Sequence, residues 1–189
     1  MIEKIKYKLK KIKFNFKINA CDIIVWDYDG TLYQNDFIGK KLKNFYIDYL
    51  QKKVKFDFDE KWFDIESVKQ GTWAKTVAAY TNQSIKEIID TVEKNFQQHQ
   101  YLKKNLDLVE KIKLLKNKNH FKLSNSKTDD IKKGLKKIGF KNTNLVFTKI
   151  IGRDNCQHLK PNIEAFKDIQ KMSHSPFHKH LMIGDSIQD

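Results

Sequence analysis

Apolar and polar positions alternate between two periods along this chain. Ile23-Ile24-Val25-Trp26 is an unbroken apolar run of strand length, the pattern of a strand buried on both faces of a parallel sheet. From Gln34 to about Tyr101 the period becomes helical, with no Pro and only Gly39 and Gly71. Phe37, Lys41, Phe45 and Tyr49 fall at four-residue steps, with Leu42 and Tyr46 beside them, which places them on one helical face. Asp57–Val68 and Thr72–Tyr80 predict two further helices. Ser84 followed by Glu87 is a capping box, and the helix it opens carries Ile85, Ile88, Ile89, Val92 and Phe96 on one face. These four helices form a small subdomain, with Trp62, Phe63, Trp73 and Tyr80 as core candidates.

Beyond Tyr101 strands and helices alternate. Leu106–Lys116 predicts a helix with Leu108, Ile112 and Leu115 inward, and His120–Leu123 a strand that ends in Ser124-Asn125. Ser126 and Asp129 form a second capping box, whose helix ends near Gly139. Leu145-Val146-Phe147 predicts a strand. Pro161 suits the first position of a helix running to about Met172. Leu181-Met182-Ile183 predicts a last strand, closed by Gly184-Asp185. This order implies an α/β fold, a Rossmann-like doubly wound parallel sheet. The expected domains are a basic extension over 1–20, a core from 21–33 and 102–189, and a helical insertion over 34–101.

Residues 1–20 fit two patterns. Ile2, Ile5, Leu9, Ile12 and Phe16 have helical spacing, whereas Ile12, Phe14, Phe16 and Ile18 alternate as in a strand. A lysine-rich amphipathic helix over 1–18 would suit an anionic membrane surface; a packed or frayed extension is the plainer reading and is preferred.

Composition changes this picture little. The chain has 189 residues, 40% of them hydrophobic, and a formal charge of +14, so it folds rather than staying disordered. The charge is diffuse lysine, with Arg153 the sole arginine. Arginine is the usual reader of bases and phosphates, so no nucleic-acid partner is expected. Attraction for anionic substrates survives that exclusion. Two cysteines, Cys21 and Cys156, make no disulfide framework, and neither a secretory signal nor a membrane-spanning run is visible. The expectation is a cytoplasmic protein. The six histidines show no metal-ligand pairing and are read as surface or core.

The chemistry lies at the predicted strand ends. Asp27 and Asp29 stand two residues apart, followed by Gly30 and Thr31; Ser124-Asn125 and Asp185 close two other strands, and Lys160 precedes a helix. Parallel strands bring such ends to one sheet edge. Carboxylates without His or Cys suit a hard cation such as Mg²⁺, while a hydroxyl, backbone N–H groups and an ammonium suit phosphate. A calcium loop is a poor alternative. With Gly30 at loop position six, position one is Val25 and position twelve is Asp36 rather than Glu.

The motifs Asp27-Tyr28-Asp29-Gly30-Thr31, Ser124-Asn125, Lys160-Pro161 and Gly184-Asp185-Ser186-Ile187-Gln188-Asp189 occur in this order. In that arrangement the chain, from about Asp22 onward, resembles the haloacid dehalogenase (HAD) superfamily, phosphatase branch, with a C1-type helical cap. The resemblance implies Asp27 as nucleophile, Asp29 as general acid and then general base, Ser124, Asn125 and Lys160 as phosphate ligands, and Mg²⁺ on Asp27, Asp29 (through its carbonyl) and Asp185. Gly30 and Thr31 would support the turn, and Asp189 would steady Lys160 or metal-bound water; its alternative is a cap paired with Ser186. The implied activity is Mg²⁺-dependent hydrolysis of a small phosphorylated metabolite through an aspartyl-phosphate. A phosphomutase and a non-catalytic binding module are the alternatives. The chain stops on the last motif residue, so a C-terminal helix and strand of the family pattern are expected to be missing.

Overall fold

The computed structural model describes residues 18–33, 36–158 and 160–185. The basic segment 1–17 and Ser186–Asp189, and with them the readings placed on both, lie outside the described residues. The chain divides into two compact units, 35–101 and 1–34 with 102–189.

The unit 35–101 is helical: α1 (Asp36–Gln51), α2 (Glu60–Gln70), α3 (Trp73–Tyr80) and α4 (Ile85–Asn95). Tyr46, Ile47 and Leu50 of α1 pack with Phe63, Ala74, Val77, Ile88 and Val92. Full burial of a side chain such as Phe63 contributes roughly 1.5–3 kcal/mol. The second helix begins at Glu60, not Asp57, because Asp59 accepts the Trp62 N–H and caps it. Ser84 and Glu87 form both halves of their capping box. Ile85 is 41% exposed, so Ile88 and Val92 carry the buried stripe of α4. Tyr80 is not core: it lies at the surface against the Trp62 and Phe56 rings.

The other unit is built on a four-stranded parallel sheet: β1 (Ile23–Trp26), β2 (Asn119–Leu123), β3 (Lys149–Ile151) and β4 (His180–Ile183), in the order β3-β2-β1-β4. Every pairing is parallel, with Trp26 opposite Lys122 on one side and Ile183 on the other. The α/β class read from the alternating elements therefore holds. The run of β1 is buried throughout, as a central parallel strand requires.

One face of the sheet, Ile23, Val25, Phe121, Leu123 and Ile151, packs on Ala165 and Ile169 of α7 (Ile163–Ser173). Helix α5 (Leu106–Leu114) buries Val109 and Ile112; Leu108 and Leu115 are half-buried, so its inward face is turned from the expected one. Helix α6 (Thr128–Ile138) buries Ile131, Leu135 and Ile138, and Gly139 ends it in a positive-φ conformation, as expected.

The expected strand at Leu145–Phe147 is not one. Thr143–Leu145 is a 3₁₀ turn, Leu145 is 82% exposed, and Phe147 packs on Phe140. The strand lies four residues on. The Thr148 N–H reaches the His120 carbonyl, and Lys149–Ile151 pairs with Phe121–Leu123. Two short apolar runs were available, and pairing with β2 decided between them.

Strand β2 buries two polar side chains, His120 and Lys122. His120 accepts the Trp26 indole N–H at 2.9 Å, and its other ring nitrogen is 3.0 Å from the Leu115 carbonyl. Burial lowers its pKa, which keeps it neutral. Lys122 is fully buried. Its ammonium donates to the Trp26 carbonyl at 3.0 Å and lies over the Tyr28 ring.

Candidate active site

The C-terminal ends of β1, β2 and β4 share one edge of the sheet, so the polar residues that close them are neighbours. Asp27 follows β1 directly, and its N–H continues the ladder to the Ile183 carbonyl. The chain then turns. Thr31 and Leu32 donate their N–H groups back to the Tyr28 carbonyl, and Gly30 takes φ 78°. This single turn sets side chains four apart over one another. The Thr31 hydroxyl donates to Asp27 Oδ2 at 2.9 Å, and the Tyr33 hydroxyl donates to Asp29 Oδ1 at 2.6 Å.

Gly30 is required for space as well as for its backbone. A Cβ at this position would lie 2.0 Å from Asp185 Oδ2, so the Asp185 carboxylate packs directly on the turn. Asp185, two residues beyond β4, thus lies against Gly30, in the turn that follows Asp27 and Asp29.

Lys160 Nζ donates to Asp27 Oδ1 at 2.5 Å, and both side chains are less than a tenth exposed. The backbone of Lys160 is anchored by Asn125, whose amide donates to the Lys160 carbonyl and accepts the Lys160 N–H. Asn125 thus fixes the Lys160 backbone through its side-chain amide while remaining exposed. The Lys160-Pro161 peptide is cis, and Pro161 precedes α7 instead of opening it: Asn162 is the cap, accepting the Glu164 N–H.

Ser124 follows β2. Its hydroxyl donates to Asp29 Oδ2 at 3.2 Å and accepts the Ser126 N–H. Ser126 is not the cap of the next helix. Its hydroxyl turns to Asp29 Oδ2 at 2.8 Å. The capping task falls to Asp154, whose Oδ1 accepts both the N–H and the hydroxyl of Thr128 at 2.7 and 2.8 Å. Gly152 allows the two loops to meet, since a Cβ there would lie 2.6 Å from the Ser126 carbonyl.

Burial would raise the Asp154 carboxyl, but the Thr128 hydrogen bonds outweigh it and the net shift is downward. A carboxyl lowered by folding stabilises the native state above its ordinary value of 3.8, and that contribution fades as pH falls through the lower folded value. Asp154→Ala is expected to cost about 1 kcal/mol, the usual value of a lost N-cap. The measurement is the urea midpoint at neutral pH and in acid, where the gap from the parent should narrow. Equal midpoints at neutral pH would remove the cap assignment.

Among the described residues Asp29 thus receives the hydroxyls of Tyr33, Ser124 and Ser126. Two of these, Tyr33 and Ser126, were not among the site residues read from the sequence. The spacing held a signal for one of them: Tyr33 follows Asp29 by four residues, as Thr31 follows Asp27. Burial first, then the Asp29 charge it faces, push the Tyr33 phenol well above its ordinary pKa, so it stays a donor.

The donor set at this edge consists of oxygens. Among the described residues no three His, Cys, Asp or Glu side chains gather as a metal cluster. The Asp185 carboxylate packs on the turn at Gly30, and Asp27 and Asp29 flank that turn in the chain. Oxygen donors of this kind, with Asp185 seated in the space left by Gly30, fit a hard divalent cation.

A family model described as a haloacid dehalogenase-like hydrolase matches residues 21–189. The chain belongs to this family. Solved structures of other HAD-like proteins share its fold. CbbY from Rhodobacter sphaeroides, in complex with xylulose-1,5-bisphosphate, is 13% identical with a TM-score of 0.65, covering 89% of this chain and 79% of its own. A HAD-like hydrolase from Streptococcus pneumoniae is 13% identical, with a TM-score of 0.64 and coverage of 90% and 79%. The L-2-haloacid dehalogenase of Xanthobacter autotrophicus is 14% identical, with a TM-score of 0.52 and coverage of 86% and 69%. At these identities the likeness is one of fold. No curated protein sequence matches the chain significantly. Among the described residues no helix is long and apolar enough to cross a membrane.

Proposed function

We propose that this HAD-like hydrolase is a phosphatase for a small phosphorylated metabolite, working through an aspartyl-phosphate on Asp27. The observation that carries the reading is the buried Lys160–Asp27 pair beside a second carboxylate, Asp29, held by hydroxyl donors. A phosphate dianion approaching Asp27 is repelled by it. Lys160 offsets that repulsion and binds the transferring phosphoryl oxygens, with Ser124 as a second ligand. Asn125 is a further phosphate ligand and also places Lys160. Mg²⁺, held by Asp27, Asp185 and the Asp29 carbonyl, would neutralise further negative charge when bound.

An Asp27 carboxylate oxygen attacks phosphorus in line, and the ester P–O bond breaks. Asp29 gives its proton to the departing oxygen. Water then attacks phosphorus, its proton passing to Asp29, and the Asp27–phosphorus bond breaks. Phosphate leaves, Asp27 is again a carboxylate and Asp29 again carries its proton. The second carboxylate favours phosphate over halide chemistry, because a halide leaves without a proton.

The test is phosphate release from p-nitrophenyl phosphate and a panel of sugar phosphates by the folded chain with Mg²⁺. Release that EDTA suppresses supports the reading. Folded protein that releases no more phosphate than buffer overturns it.

A further inference from the structure

We infer that Tyr33 is a positioning residue for Asp29, held in place by a packed column that runs through Tyr28 to Gly134 of α6. This rests on the phosphatase reading and extends it to a residue outside the four motifs.

Asp29 must present one oxygen to a leaving group and later to a water, so its rotation matters as much as its charge. Ser124 Oγ meets Asp29 Oδ2 and is also a phosphate ligand in the proposed reaction, so that contact is open to exchange when substrate arrives. Tyr33 approaches from the other side, on Oδ1. It carries a rigid ring and lies in the same turn as Asp29, which makes it a fixed stop against rotation.

The ring is fixed in turn. It meets Tyr28 edge-on, with centroids 5.1 Å apart and planes at 69°. Tyr28 is fully buried, and the Lys122 ammonium stands 5.1 Å from its ring centroid. The Tyr28 hydroxyl end rests on α6 at Gly134, where an added Cβ would lie 1.4 Å away. Among the described residues that hydroxyl has no hydrogen-bond partner, so packing holds the Tyr28 ring. A mid-helix glycine costs helix stability relative to alanine; here it makes room for the residue against which Tyr33 leans.

Tyr33→Phe keeps the ring and removes the donor. Two substrates separate positioning from structure. p-Nitrophenolate leaves without a proton, whereas the alkoxide of an alkyl phosphate such as glycerol phosphate needs one. The expected result is a fall in kcat/KM of about tenfold or more on glycerol phosphate, within the range of general acid catalysis. On p-nitrophenyl phosphate the expected loss is less than about threefold, because acid assistance contributes little there. Asp29→Asn should show the same split, enlarged.

Equal losses on both substrates, or none on either, overturn the assignment. So does a Tyr33→Phe chain that fails to fold by circular dichroism, since the hydroxyl would then be structural. If Asp29→Asn shows no split while the parent is active, the acid role of Asp29 fails and Tyr33's role with it. A parent inactive on both substrates is instead the failure of the phosphatase reading.

Discussion

Asp27→Asn is expected to lower phosphate release by at least about 10⁴-fold, the scale on which enzymes lose turnover when a covalent nucleophile is removed. The amide has the shape of the carboxylate, and its oxygen can still accept from Lys160. Its electrons are delocalised and it forms no stable phosphoryl ester, so the first step is blocked. Rapid-quench trapping of a phosphorylated protein checks this directly: the parent should carry a label from a labelled phosphoester, and the variant none. The substitution also leaves Lys160 in a nearly buried position without a counter-ion on Asp27, so the thermal midpoint should fall. Turnover within tenfold of the parent would show that another group attacks phosphorus.

Lys160→Met should produce the second-largest effect, and it reaches stability as well as activity. Methionine fills similar volume but leaves the Asp27 carboxylate less than a tenth exposed and without its ammonium. Breaking such a pair from one side costs roughly 3–5 kcal/mol, which in a domain of this size lowers the midpoint by about 10 °C. Loss of the cation facing the phosphoryl group should lower turnover by about 10²–10³. The Asp27→Asn/Lys160→Met double variant removes both charges and should be more stable than Lys160→Met alone. Thermal unfolding of all four proteins measures this coupling. Additive losses would mean that the two groups do not act as a pair.

Much of the site was visible in the sequence because its parts occupy regular positions. Asp27, Ser124 and Asp185 each close an apolar run, and the run itself predicts the strand. A parallel arrangement of these strands then places the residues on one edge, whatever the details of packing. The capping box at Ser84 was equally legible, since both partners lie within one turn. The HAD-like assignment drew on this same order of motifs.

Local signals failed where a distant group competed for the same atoms. Ser126 has the spacing of a cap, yet its hydroxyl goes to Asp29, 97 residues away in the chain, and Asp154 caps Thr128 across 26 residues. Leu145–Phe147 has the composition of a strand, but the ladder to β2 is made by Lys149–Ile151. Lys122 lies within a strand whose last four residues are all buried. Burial of both faces left its ammonium to the Trp26 carbonyl and the Tyr28 ring.

The sequence by itself determined three of the four strands, the presence of most helices and the order of the motifs that the family shares. These follow from periodicity, chain stiffness and contacts within about four residues. The tertiary structure alone decided who meets whom at Asp27 and Asp29. Lys160 comes to Asp27 across 133 residues, and Ser124 to Asp29 across 95. Hydrogen bonds and ion pairs over such separations depend on sheet register and on where a Cβ is missing, as at Gly30 and Gly134. The Asp22–Tyr33 stretch shows both sides of this division. Its apolar run and paired carboxylates announce a site, and the packing around Tyr28 and Tyr33 determines how the second carboxylate is held.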